Sequence, residues 1–329
     1  MKALICAASL LTLTAGAGLA QKPVLTVLTY DSFAADWGPG PIVEKAFEAV
    51  CGCDLRFLPG GDGAAVLSRL RLEGARSEAD VVLGLDTALT AQAAQTGLFV
   101  PHGQAAAPDL PVPYEDPLFL PFDWGWFAFN YDKTRLPAPP ASFEELAASD
   151  LKVVIQDPRS STPGLGLVMW VKAAYGARAP EIWEGLSDNI LTVTPGWSEA
   201  YDLFLKGEAD MVLSYSTSPA YHLIAERDDS KAAAGFAEGH YLQIEVAGQL
   251  KSARDPELAQ RFMAFLLSGE FQAAIPETNW MYPAKTPAAG LPQGFETLMR
   301  PEKSLLFTAE EAAALRGEAV DEWRSALSN

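Results

Sequence analysis

Short apolar runs that end in glycine-rich or hydroxyl-rich turns recur along this chain. Met211, Val212 and Leu213 form one such run, as expected of a parallel strand buried on both faces. Ser214, Tyr215, Ser216, Thr217 and Ser218 follow at once, and Pro219 stands where a helix takes its first residue. Residues 24–29, 54–58, 79–85, 152–156 and 191–194 read as strands on the same grounds. Helical spacing follows several of them: Ile42, Ala46, Phe47 and Val50 share a face, and residues 64–73 open after Asp62-Gly63. Ala200, Leu203 and Phe204 fall in a helix after Pro195-Gly196-Trp197. This alternation predicts an α/β fold with mostly parallel sheets flanked by helices.

Helix starts are marked by their caps. Thr162 before Pro163 predicts an N-cap and a first helical residue. Ser142 with Glu145, and Thr308 with Glu311, have capping-box spacing. Asp86 is expected to cap the helix after its strand, and Asp255-Pro256 starts another. Residues 121–131 differ: Phe122, Trp124 and Trp126 share one parity, and Phe127 and Phe129 take the other. A strand with large groups on both sides fits a crossing between two lobes, and residues 238–246 fit the strand that returns. Glu73-Gly-Ala-Arg-Ser-Glu-Ala-Asp80 also echoes Lys206-Gly-Glu-Ala-Asp210, as two lobes built from similar β-α-β units would. The expected division is 21–125 with 240–280 as lobe one and 126–239 with 281–329 as lobe two. Each is expected to have its own core.

Four loops at predicted strand ends carry candidate chemistry. They are Asp62-Gly63, Ser161-Thr162, Gly196-Trp197, and Tyr215 to Ser218 with its Ser216 and Thr217. Free amides at such ends favour an oxygen or phosphate, and Asp62 can accept from an amine or face a cation. Tyr30, Trp37, Tyr221 and Trp280 flank Gly, Pro or Ser turns and add flat faces. An aromatic contact with a desolvated cation contributes roughly 2 kcal/mol.

Charge and composition narrow the classes. The 329 residues carry a net charge of −18, which argues against binding nucleic acid or anionic lipid. Lys2, the apolar residues 3–13 and the small residues 15–20 read as a cleaved export signal, residues 1–20, with maturation at Gln21. No later run is long enough to span a bilayer, so no direct membrane insertion is expected. Cys51 and Cys53 leave a strained local disulfide and free thiols open, while a metal lacks neighbouring partners in sequence. An enzyme is disfavoured: there is no HExxH, GxSxG or Walker loop, and Ser161 or Ser218 as a hydrolase nucleophile lacks a base. A ferric-ion binder normally needs adjacent tyrosines, and Tyr-Tyr does not occur.

Several blocks carry a resemblance. Leu28-Thr-Tyr30-Asp-Ser-Phe-Ala-Ala-Asp-Trp37-Gly-Pro-Gly-Pro, Gln156-Asp-Pro-Arg-Ser-Ser161-Thr162-Pro-Gly-Leu-Gly-Leu, Leu213-Ser-Tyr215-Ser-Thr-Ser218-Pro-Ala-Tyr221 and Asn279-Trp280-Met-Tyr-Pro resemble the periplasmic thiamine-binding proteins of bacterial ABC importers. The resemblance runs from about Pro23 to the C-terminus. It implies a two-lobed periplasmic-binding-protein fold of type II, joined by crossing strands and closing on thiamine or thiamine phosphates. It further implies delivery to an inner-membrane ABC permease and its ATPase, with no bound cofactor. By position, Asp62, Gly63, Ser161, Thr162, Trp197 and Tyr215 to Ser218 match the family's ligand contacts, and Tyr30, Trp37, Tyr221 and Trp280 its aromatic lining. Ser216 stands where the family has threonine, and the Pro59-Gly60-Gly61 approach to Asp62 is less bulky than the family's. The rival readings are a receptor for another cationic or phosphorylated solute, such as a polyamine or phosphonate, and a secreted hydrolase.

Overall fold

The computed structural model describes residues 22–105 and 107–328. The expected export signal lies outside them. The principal strands are β1 (Val24–Thr29), β2 (Asp54–Pro59), β3 (Val81–Asp86), β4 (Leu120–Asp132), β5 (Val153–Gln156), β6 (Ile190–Thr194), β7 (Met211–Tyr215) and β8 (His240–Leu250). They lie side by side in the order β2-β1-β3-β8-β4-β7-β5-β6. The outer strands pair parallel on each side, β1 with β2 and β3, and β5 with β6 and β7. The two long strands in the middle run antiparallel to their neighbours.

β4 is the crossing strand that its two-sided aromatic pattern predicts. Its first part pairs with β8 up to Trp126, and from Phe127 it pairs with β7. Nearly all of it is buried, so neither parity can be polar and large groups fill both sides. β8 is buried along its whole length and carries a bulge beside Glu245 and Val246. Bulges re-aim side chains, and Glu245 lies where the two halves of the sheet meet.

Among the helices are α1 (Gly40–Cys51), α2 (Gly63–Glu73), α3 (Thr162–Tyr175), α4 (Trp197–Leu205) and α5 (Ala309–Ala326), of which α2, α3 and α4 start at the cleft. α5 has the capping box read from Thr308 and Glu311, and it packs on α3 through Lys172, whose Nζ meets Glu318 and Glu322 at 2.6 and 2.7 Å.

Four local expectations change. α3 is capped by Ser161, one residue before Thr162, and the Ser161 hydroxyl makes no cap bond because it points across the cleft. Asp86 ends its strand and accepts from the Ala88 N–H at 2.8 Å, turning the chain before the next helix begins at Thr90. The core is not simply divided in two: one cluster around Phe33, Phe47 and Phe262 lies in one half and another around Val154 and Phe204 in the other, but the largest runs continuously from Leu67 and Leu89 to Trp170 and Trp183 through the crossing strands. Finally, Cys51 and Cys53 are bonded to each other, which resolves the alternatives left by their spacing.

Candidate functional site

The carboxyl ends of β1, β2, β5, β6 and β7 converge on a cavity of about 490 Å³ between the halves of the sheet. Each loop reaches it for a local reason. β2 ends in Pro59-Gly60-Gly61, and Gly61 takes a φ of 82° that swings Asp62 toward the other half. Asp62 stands at the N-cap of α2 without capping it. Its Oδ2 instead accepts from the Ser161 hydroxyl at 2.6 Å and from the Trp197 N–H at 3.1 Å. The Ala65 N–H donates to the Ser160 carbonyl at 3.0 Å beside it. A Cβ on Gly63 would lie 2.5 Å from Thr162 Oγ1, so only glycine allows the halves this close. The cleft is closed.

Aromatic rings line it from both sides. Trp37 lies 6.3 Å from Trp197, which stacks on Tyr201 at 5.0 Å. Tyr221 meets Trp280 edge-on at 5.5 Å. Both of these last rings adjoin an unusual backbone turn. Tyr221 precedes a π-turn over His222–Glu226, and Trp280 follows another over Ile275–Asn279. Trp280 itself has a φ of 55°, a left-handed conformation that non-glycine residues adopt only where the surroundings hold them. Trp37 is exposed at the mouth, while Tyr30 is buried at the inner end.

Of the residues expected from sequence, Tyr30, Trp37, Asp62, Gly63, Thr162 and Trp197 border the cavity, as do Tyr215, Ser218, Tyr221 and Trp280. Ser161, Ser216 and Thr217 do not. Ser161 is fully buried against Asp62, and Thr217 faces Met281 Sδ at 3.6 Å. Ser216 is buried with no partner for its hydroxyl among the described residues. Ser218 is engaged too, since its Oγ lies 2.7 Å from Ser214 Oγ and accepts from the Tyr215 N–H. The Trp197 indole N–H donates to the same Ser214 hydroxyl at 2.7 Å, which fixes the ring plane.

Sequence reasoning missed Glu245, Asn279 and Met281, which also line the cavity. Glu245 accepts from the Tyr30 hydroxyl at 2.9 Å and from Gln243 Nε2 at 2.7 Å. Asn279 Nδ2 reaches both the Tyr30 hydroxyl, at 2.9 Å, and Asp123 Oδ2, at 2.6 Å. The available signal was an acid inside each crossing strand, where the flanking residues are apolar. Tyr201, on the same helix as Trp197, also lines the cavity and was not singled out by the sequence.

The electrostatics are one-sided. Among the described residues no lysine, arginine or histidine borders the cavity, whereas Asp62, Asp202, Glu245 and Glu277 do. Burial is the main cause that pushes the Asp62 carboxyl up to about 6, against the opposing bonds from Ser161 and Trp197. Burial first, and then the Asp123 charge, hold Glu245 well above the usual carboxylate range. Such a cavity suits a cation held between flat rings. His222, Glu226 and Asp228 place ligand atoms within 4.8 Å of one another. Both His222 ring nitrogens are already bonded, to the Tyr201 hydroxyl and to Glu226, so the group reads as a packing network.

Two parallel wings joined by a crossing antiparallel pair, closed over a solute-sized gap, define a binding protein that traps its solute between halves. The chain belongs to the bacterial extracellular solute-binding protein family, whose pattern matches residues 39–273. This is a family of receptors rather than enzymes. Among its relatives is the thiamine-binding periplasmic protein of Escherichia coli, 55% identical over 310 residues that cover 93% of this chain and 94% of the relative. A solved periplasmic thiamin binding protein superposes with a TM-score of 0.92 at 54% identity, covering 95% of this chain and 98% of that one. Iron-bound HitA from Pseudomonas aeruginosa shares the fold alone, with a TM-score of 0.75 at 22% identity over 92% of this chain and 99% of its own.

Proposed function

We propose that this protein is a periplasmic receptor that captures thiamine in the closed cleft and delivers it to an ABC permease and its ATPase. The observation that carries the reading is an aromatic cavity of about 490 Å³ lined by acids and, among the described residues, by no basic side chain. Thiamine has a permanent positive thiazolium, which Trp37, Trp197, Tyr221 and Trp280 can face. Its aminopyrimidine donates hydrogen bonds that Asp62 or Glu245 can accept. The names of the close relatives support the same solute and compartment.

Thiamine mono- and diphosphate are included in the proposal. Their anionic end would reach the hydroxyls and amides at Thr162 and Ser218, on the start of α3 and the turn after β7. The halves, 21–125 with 240–280 and 126–239 with 281–329, are taken to hinge about β4 and β8. Residues 1–20 are taken to direct export and to be removed. Nanomolar capture requires about −12 kcal/mol, or roughly 0.7 kcal/mol per heavy atom for a solute of this size. That is above the drug-sized average and demands an enclosed site rather than a groove. Calorimetric titration with thiamine and its two phosphates, beside a thermal-shift panel that includes a polyamine and a phosphonate, tests the reading. Tight binding and a raised midpoint with thiamine are expected; a response only to the other solutes refutes it.

A further inference from the structure

Asp123 and Glu245 stand directly opposite each other on β4 and β8, at the junction of the two halves. Asp123 is fully buried, and Glu245 is buried apart from the face it shows to the cavity. The two carboxyl groups are within hydrogen-bonding reach of one another. Their other donors are all neutral: the Tyr30 hydroxyl and Gln243 amide on Glu245, and the Asn279 amide on Asp123 Oδ2. Asp123 Oδ1 is buried and has no donor among the described residues. The remaining titratable groups around the pair add no positive charge. Tyr215 faces it from β7, Asp86 adds a negative charge from β3, and Asp62 lies beyond Tyr215 across the cleft.

Two buried carboxylates at this spacing cannot both stay ionised without a counter-charge. A proton between them supplies the donor that Asp123 Oδ1 lacks. A cation in the cavity beside Glu245 supplies the charge instead. We propose that the Asp123–Glu245 pair holds one shared proton in the empty cleft and releases it to solvent when a cationic solute binds. Capture of the cation and loss of the proton are then a single exchange, and no covalent bond is made or broken besides the O–H bond that gives up the proton. The proposal rests on the cationic-solute reading above. Burial, acting on both carboxyls, holds each above its ordinary range, in the direction that a retained proton requires.

The exchange fixes the sign of the pH dependence. Because the complex holds one proton fewer, affinity strengthens as pH rises, by up to roughly tenfold per pH unit while the empty pair is protonated. A neutral solute of the same shape gains nothing from the exchange, so the pair selects for charge as well as form.

The test is calorimetric titration of thiamine into the protein at neutral pH, in buffers of different ionisation enthalpy. The expected result is a binding heat that varies with the buffer and corresponds to about one proton released. A neutral analogue with thiophene in place of thiazolium should release none. Glu245→Gln should abolish the release. Asp123→Asn serves as a second variant should Glu245→Gln fold poorly, and the wild-type buffer series needs neither. A buffer-independent heat with thiamine binding intact overturns the proposal. Release that survives Glu245→Gln overturns it as well. Failure of thiamine to bind in any buffer refutes the solute reading itself and takes this proposal with it.

Discussion

Asp62 ties the halves together, and two substitutions separate its contributions. Its carboxylate accepts two bonds from the opposite half, from Ser161 Oγ at 2.6 Å and the Trp197 N–H at 3.1 Å. Hydrogen bonds to charged groups contribute roughly 1.5–3 kcal/mol each, so the two together favour closure by about 3–6 kcal/mol. Burial opposes them, and the pKa that remains after both bonds have lowered it is about 6, up from 3.8. That rise costs roughly 3 kcal/mol at neutral pH, as an upper bound, because the side chain keeps part of its exposure to the cavity. The bonds therefore offset only part of the burial cost, and the ionised carboxylate closes less readily than the protonated one. Asp62→Ala removes both acceptors, strands a buried Ser161 hydroxyl and should open the empty cleft. Asp62→Asn keeps an oxygen in place and carries no ionisation cost, so the empty protein should stay closed. Small-angle scattering, or the distance between spin labels on the two halves, reads the difference without ligand. The sign with pH follows from the raised value: the closed form binds the Asp62 proton more tightly, so wild-type closure strengthens as pH falls from about 6 to about 4 and is level above about 6. Asp62→Asn should lack that transition. Opening of Asp62→Asn to the same degree as Asp62→Ala, or a wild-type equilibrium flat from about pH 4 to 7, refutes the assignment.

Three further outcomes are expected. Trp280→Ala should weaken thiamine binding by roughly 1–3 kcal/mol in calorimetry, and an unchanged affinity removes the ring from the site. Gly63→Ala places a Cβ 2.5 Å from Thr162 Oγ1 and 2.6 Å from the Gly84 carbonyl oxygen, an overpacking that costs roughly 1–3 kcal/mol. Since Thr162 is across the cleft and Gly84 in the same half, both ligand affinity and thermal midpoint should fall; retention of both contradicts the contact. Replacing Cys51 and Cys53 by serine opens a very small loop at the end of β2 remote from the cleft. Urea unfolding should show a loss of roughly 1–2 kcal/mol, while ligand affinity should not change.

What sequence made legible was the place where chemistry changes abruptly. At Leu213-Ser214, Gln156-Asp157 and Leu58-Pro59 an apolar run gives way to hydroxyls, acids or glycines within a residue or two, and each marks a strand end at or near the cavity. Direction was not legible. A hydroxyl-rich turn announces donors but not which way they point, and Ser216 and Thr217 turn inward while Ser218 borders the cavity. Asp123 and Glu245 were hidden for a different reason. A polar residue between apolar ones in a strand looks like the solvent side of a pleat, and only the middle position of β4 and β8 in the sheet buries both faces. The π-turns before Trp280 and after Tyr221 likewise leave no local trace, because the widened turns arise from how the rings and loops pack.

The acids in the cleft bear on closure and on solute choice at once. Asp62 and Glu245 border the cavity, Asp123 lies opposite Glu245 on the neighbouring strand, and among the described residues no lysine or arginine joins them. Closing this gap empty gathers like charges in a place that water leaves, so the closed state needs protons or a cation. A neutral solute offers neither. An anionic solute must be held by amides and hydroxyls alone, and there Asp62 is a competitor, since its carboxylate already takes the Ser161 hydroxyl at the start of α3 and the Trp197 N–H at the start of α4. A phosphate ester of thiamine brings both charges, and its anionic end gains those donors only by displacing Asp62 or by drawing a proton onto it. The affinity of the monophosphate relative to thiamine therefore measures how firmly Asp62 holds the two helix starts, and substituting asparagine for it should shift that ratio toward the phosphate.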